Sequence, residues 1–336
     1  MTINCIDKSQ RRALVFTPME TDWRLLVEAA VAAEDLGYEA VVIPEGWSLD
    51  ATIVLSEIAR QTSRIRVVAG VLSVWGRTAA TMAMTAATLD ELSDGRFTLG
   101  LGASTPLLAE KFHQTPFKAS AARLKGTLET ARLLLGGERG QDLHGEPGLR
   151  LGQNAHPEIP IWVAGLGPRA TELAVTAADG WFPVMIPRSE MGHIRSAIAA
   201  GSGRGCELIS GPITSVTSGG RSGRSGAEQL LGWYLTGMGT LYGDFVAANG
   251  YSDEVEALRN ANQRPKPGGI DWPAEADPLL EQLTVHGEPE EVAAGLCLWD
   301  EQCDLVTIVV GPIPAADLHR HIEASAPALA PVAATV

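Results

Sequence analysis

Short β-branched runs that alternate with stretches of helical hydrophobic spacing constrain this chain most, because strands joined through helices run parallel and must be covered on their faces. The pattern is sharpest within residues 64–102, where 65–69 read as a strand, 79–92 as a small-residue helix and 96–101 as the next strand. Both strands run into glycine, Gly70 and Gly102, at the edge where parallel α/β folds build their ligand sites. Further strands are predicted at 13–17, 40–43, 159–164, 180–184, 208–217 and 305–310, with helices at 23–36, 51–61, 119–135, 169–178 and 188–200. Eight strands with helices between them predict an α/β fold, a (β/α)8 TIM barrel in one domain over 1–336, with an insertion at 218–283 between the last two strands.

The 336 residues exceed the roughly 250 a plain barrel needs, which leaves room for that insertion and for a Gly/Pro-rich excursion at 136–157 with a hairpin around 144–151. With 45% hydrophobic and 20% charged residues the chain can bury a large core. A formal charge of −14 argues against nucleic acid or an anionic membrane as partner, since both need a positive field, and points to a small molecule. Cys5, Cys206, Cys297 and Cys303 have no C-x-x-C spacing, so neither a zinc knuckle nor a disulfide scaffold is indicated and a reducing compartment is expected. Residues 1–20 hold no signal-like apolar run and no later segment reaches about 18 apolar residues, so the expected location is cytoplasmic.

The sharpest chemical feature is the apolar run 160–164 leading into Gly165-x-Gly167-x-x-Ala170, with Pro168 at the first position of a helix. Backbone N–H groups at such a helix start, with its dipole, form an anion site. A Rossmann site would also need an acidic residue about 20 residues on, and residues 184–188 supply none. The alternatives are a phosphate site on a late barrel loop and a structural Gly-Pro turn. The insertion opens with a Gly/Ser/Arg segment, 218–226, whose composition predicts mobility, and Arg221 and Arg224 there suit an anionic ligand or a solvated loop equally. Behind it, Leu230, Leu231, Trp233, Tyr234, Leu235, Met238, Leu241, Tyr242 and Phe245 make an aromatic-rich stripe. It reads as a core-facing helix, a lid over the barrel mouth, or a homodimer contact. No metal is expected: His319 and His321 point to different faces of one helix and are predicted at the surface. No G-x-S-x-G nucleophile elbow occurs.

The segments 64–71 and 88–102, the turn at Gly165 and residues 177–181 resemble the luciferase-like monooxygenase superfamily, and 232–256 resemble its coenzyme F420-dependent subgroup. The resemblance covers almost the whole chain. It implies an oxidoreductase that transfers hydride between the deazaflavin coenzyme F420 and a small organic substrate. Two alternatives are an FMN-dependent monooxygenase using reduced flavin and dioxygen, served by a separate cofactor reductase, and a non-catalytic flavin-binding relative. The resemblance places Ala69, Gly70, Val71 and Ser73 against the ring, with a non-prolyl cis peptide at Gly70–Val71. Gly102, Ala103 and Ser104 would flank the ring, and Ala164, Gly165, Leu166 and Gly167 would hold the phosphate. Glu45, Ser73 and Ser104 are the candidates for managing a proton. Two departures matter. Many relatives carry an acidic residue followed by His after strand two, where this chain has Glu45 and Gly46. Deazaflavin sugar-phosphate dehydrogenases carry a Glu after the strand-four glycines, where residues 103–106 have none, so sugar-phosphate oxidation is not expected. Glu45 is read as a proton donor raised by burial, or as a hydrogen-bond partner for backbone near the cofactor.

Overall fold

The computed structural model describes residues 10–142, 144–201 and 205–327, so Cys5 lies outside the described residues. Eight parallel strands close into a barrel: β1 (Arg12–Phe16), β2 (Ala40–Ile43), β3 (Arg66–Ser73), β4 (Phe97–Gly102), β5 (Ile161–Ala164), β6 (Gly180–Trp181), β7 (Glu207–Ser210) and β10 (Leu305–Val310). Each pairs with the next and β10 returns to β1 over the full length of both, from Arg12 opposite Val306 to Phe16 opposite Val310. Six helices fill the crossovers: α1 (Trp23–Asp35), α2 (Ala51–Gln61), α3 (Ala79–Leu92), α4 (Ser120–Leu135), α5 (Pro168–Ala177) and α6 (Met191–Gly201). Local signals set their starts. Asp22, Asp50 and Thr78 cap α1, α2 and α3 by accepting backbone N–H bonds, which satisfies donors that a helix leaves orphaned.

Strand alternation sorts the core into two layers. Leu14, Phe16, Val41, Ile43, Val67 and Ala69 point outward onto the helices, whereas Ala13, Val15, Ala40, Val42 and Val68 point inward. At the N-terminal ends of the strands the barrel is shut by a ring of charge. Arg11 pairs with Glu39 at 2.5 Å and Glu207 at 2.6 Å, and Arg66 pairs with the same two carboxylates at 2.7 and 3.4 Å. Arg66 also lies over the Trp162 ring at 5.6 Å.

The structure differs from the sequence reading at three points. The strand predicted at 208–217 is interrupted by Gly211 and Pro212, because proline donates no ladder bond. Its second half is β8 (Ile213–Val216), which pairs with β10 only through Ile213 and Val309. The strand predicted to reach residue 184 stops at Trp181 within two residues of Pro183, for the same reason. The insertion is helical, α7 (Gly223–Thr236), α8 (Leu241–Val246), α9 (Ser252–Ala261) and α10 (Asp277–Leu283), and it ends in an unpredicted strand, β9 (Thr284–Gly287), parallel to β8. Then α11 (Pro289–Asp300) leads to β10, and α12 (Ala315–Ala324) follows it.

Candidate active site

A cavity of about 900 Å³ opens at the C-terminal ends of the barrel strands. Its floor begins at β3, where the pairing register with β4 shifts between Ala69 and Leu72 and the Gly70–Val71 peptide is cis. A side chain at Gly70 would collide with Val42, and one at Gly102 with Val71, so both glycines permit the close approach of neighbouring strands that shapes the bulge. The end of β2 clamps this bulge. Glu45 N–H donates to the Val71 carbonyl at 3.2 Å, and Glu45 Oε2 accepts the Ser73 N–H at 3.0 Å. The other carboxylate oxygen accepts from Arg77 Nε at 2.7 Å, and Arg77 also reaches Asp50 at 2.7 Å.

The far side of the cavity is the β5 turn. Gly167 is the N-cap of α5 and no side chain caps that helix, so the helix end faces the cavity with backbone donors alone. A Cβ built on Gly167 would meet nothing within 4 Å. One on Gly165 would lie 2.5 Å from the Ala170 Cβ, which explains the small residues at both ends of the motif. Trp181 Nε1 donates to the Gly165 carbonyl at 3.0 Å and fixes the turn from the next strand. Arg169 lines the cavity beside it with no ion-pair partner among the described residues. An uncapped helix start, an open glycine and an adjacent guanidinium suit a phosphate.

Of the residues singled out from sequence, Glu45, Gly70, Val71, Ser73, Gly102, Ala103, Ser104, Ala164, Gly165, Leu166 and Gly167 all line this one cavity. Ala69 does not: it is fully buried in the outward layer between sheet and helices, because it precedes the bulge and still follows the β3 alternation. The three candidate proton carriers also separate. Glu45 is committed to Ser73 and Arg77. The buried Ser73 hydroxyl accepts from Trp75 N–H at 3.3 Å. Ser104 holds a left-handed backbone at φ 53°, and its hydroxyl makes no hydrogen bond among the described residues.

The aromatic stripe serves two of its readings together. Tyr234, Met238, Leu241, Tyr242 and Phe245 line the cavity, while Leu231 and Leu235 are fully buried behind them. Trp233 and Leu230 face a second cavity, of about 740 Å³, which adjoins the first at Trp47 and Ile213. The segment 218–226, expected as a loop from its composition, takes a defined course in the structure. Ser218 and Arg221 form a tight turn, α7 starts at Gly223, and Arg224 pairs with Glu228 and Asp277. His321, predicted at the surface, is buried. Its Nε2 accepts the Val216 N–H at 2.9 Å while Nδ1 faces the Asp317 carbonyl at 2.9 Å. Sequence spacing also did not single out Asp90, His156 and Glu158, whose ligand-type atoms lie within 4.8 Å of one another near the start of β5, with His156 bonded to Asp90 at 3.1 Å. His156 and Glu158 lie 66 and 68 residues beyond Asp90 of α3 in the chain, and only the fold joins them.

Residues 8–303 match the family model described as luciferase-like monooxygenase. A Mycobacterium tuberculosis protein provisionally described as a coenzyme F420-dependent oxidoreductase is 27% identical over 304 residues, covering 81% of this chain and 86% of that protein. The phthiodiolone/phenolphthiodiolone dimycocerosates ketoreductase of Mycobacterium kansasii is 25% identical, covering 90% and 88%. Among solved structures, the coenzyme F420-dependent tetrahydromethanopterin reductase of Methanopyrus kandleri superposes with a TM-score of 0.77 at 17% identity, over 94% of this chain and 97% of that one. A type II Baeyer-Villiger monooxygenase of Pseudomonas putida in complex with FMN shares the fold with a TM-score of 0.65 at 13% identity, over 94% and 96%. No helix among the described residues is long and apolar enough to cross a membrane.

Proposed function

Because the chain belongs to the luciferase-like monooxygenase family, we propose that it is an oxidoreductase that binds coenzyme F420 in the 900 Å³ cavity and passes hydride between that coenzyme and a small organic substrate. The observation that carries this reading is the meeting, in one cavity, of the Gly70–Val71 bulge with the Gly165–Gly167 helix start and Arg169. The first offers a flat backbone surface for a ring and the second a cradle for a phosphate. Relatives described as F420-dependent favour the deazaflavin over FMN.

Gly70, Val71 and Ser73 would lie under the ring, Gly102, Ala103 and Ser104 beside it, and Ala164 to Gly167 around the phosphate. Glu45 acts as a positioning residue: it holds the bulge through the Ser73 N–H and is itself held by Arg77. When bound, the coenzyme supplies a two-electron hydride donor or acceptor, and the protein supplies orientation and exclusion of water. In the reductive direction a substrate carbonyl carbon would gain hydride and its oxygen a solvent-derived proton, so that C=O becomes CH–OH while the coenzyme is oxidised.

The test is equilibrium binding of the full chain to F420 and to FMN, side by side, in both redox states. Selective binding of F420 is expected. Selective binding of reduced FMN would replace this reading with the oxygen-dependent monooxygenase supported by the FMN-binding fold neighbour. Binding of neither would leave a non-catalytic member of the family.

A further inference from the structure

We propose that the substrate is uncharged and largely apolar, and that its one reacting oxygen is held by the phenol hydroxyls of Tyr234 and Tyr242. The proposal rests on the hydride-transfer reading above and adds the class of molecule the site takes.

Charge is the first argument. Among the residues that line the 900 Å³ cavity, Glu45 and Arg169 are the two that carry formal charge. Glu45 is neutralised by Arg77, and Arg169 stands at the α5 start, at the phosphate end. No lysine or histidine lines the cavity. A substrate phosphate, carboxylate or ammonium would therefore leave water for a wall without a counter-charge, which disfavours its binding. The wall that the insertion contributes is mainly Tyr234, Met238, Tyr242 and Phe245, with one amide, Asn249, whose Nδ2 donates to the Phe245 carbonyl at 2.7 Å, and Phe182 and Met185 from the loop after β6 line the same cavity. It is apolar surface of the kind that recognises hydrocarbon.

The two phenols are the second argument. Their rings stand edge to face with centroids 5.7 Å apart, and Tyr234 is 8% exposed. Neither hydroxyl has a hydrogen-bond partner among the described residues, although both side chains line the cavity. Both hydroxyls open on the cavity instead of being sealed inside the protein, so each is a donor with no protein acceptor, available to a ligand oxygen. Burial with no cation beside them pushes both phenols upward in pKa, so they stay protonated and act as donors, not as acids that would leave a buried phenolate. Two neutral donors in an apolar wall fit a ketone, an aldehyde or a secondary alcohol.

The experiment loads the full chain with oxidised F420, which cannot reduce a ketone, and titrates acetophenone and benzoate by tryptophan fluorescence. Acetophenone is expected to bind at least tenfold more tightly than benzoate, its charged analogue in shape. The double variant Tyr234→Phe/Tyr242→Phe, which keeps both rings, should weaken acetophenone about tenfold and leave the dissociation constant for F420 within twofold. Equal or tighter binding of benzoate, or an unchanged affinity in the double variant, overturns the proposal. Failure of F420 to load overturns the functional reading by itself, and the same titration of the unloaded chain then decides the substrate class with the same two criteria.

Discussion

Glu45 accepts a backbone N–H with one oxygen and a guanidinium with the other, so its carboxylate is built into the wall of the cavity instead of standing free to exchange protons. Replacing it with Gln keeps an acceptor for Ser73 N–H, and the pH profile of turnover is expected to stay unchanged in that variant; a lost limb in kcat against pH would make Glu45 the proton carrier. Glu45→Ala strands the Ser73 donor and half of the Arg77 pairing, and a loss of about 1–3 kcal/mol in urea unfolding is expected. Gly167 behaves in the opposite way. Its missing side chain faces open space, so Gly167→Leu should leave the unfolding midpoint within a degree or two but weaken F420 binding at least tenfold. Cofactor titration beside a melting curve separates the two effects. Gly70, Gly102 and Gly167 were readable in the sequence because strand ends and glycine turns announce themselves locally, whereas Glu45 entered as a candidate through the family resemblance. The Arg77 partner was not readable, since 32 residues separate it from Glu45.

At the scale of elements, the helices and six of the eight barrel strands stand within a few residues of where hydrophobic period and capping residues put them. The strand at 208–217 and the strand β9 escaped, because a Gly-Pro break and an added edge pairing depend on what lies alongside and not on local pattern. α12 shows a further dependence of this kind. His321 on α12 accepts the Val216 N–H of β8, which only the neutral imidazole can do. Burial lowers its pKa below the ordinary 6.5, with Arg221 and Arg320 acting in the same direction against Asp317. A histidine whose folded pKa is lowered stabilises the fold fully above 6.5 and loses that contribution as pH falls below it, because the unfolded chain then binds the proton more readily. Urea midpoints are therefore expected to fall between pH 7.5 and pH 5.5, and His321→Gln should flatten that slope. An equal slope in the variant would assign the acid sensitivity elsewhere.

Across the whole molecule, one end of the barrel is shut by charge and the other is open to ligand. Glu39 lies between Arg11 and Arg66, and although burial raises its pKa, the two guanidiniums outweigh it and hold the carboxyl below the ordinary 4.5. Its contribution is present above 4.5 and is lost as pH falls through the lower folded value, a second acid limb distinct from that of His321. Glu39→Ala leaves both guanidiniums short of a partner at the base, and a loss of about 2–4 kcal/mol in chemical denaturation is expected, with F420 affinity unaffected because the cavity proposed for the coenzyme lies at the other end of the strands. The sequence by itself determined the parallel α/β barrel, the C-terminal edge as the place of the candidate site, and the glycine-bearing turns that shape it. These follow from period, turn chemistry and handed crossovers, all of which act over a few residues. Only the tertiary structure decided that Glu45 is locked by Arg77, that the Gly/Ser/Arg segment begins a helix, that His321 is buried, and that two unpartnered phenols face the cavity. Those are contacts between residues far apart in the chain, and burial and pairing of that kind exist only after the barrel has closed.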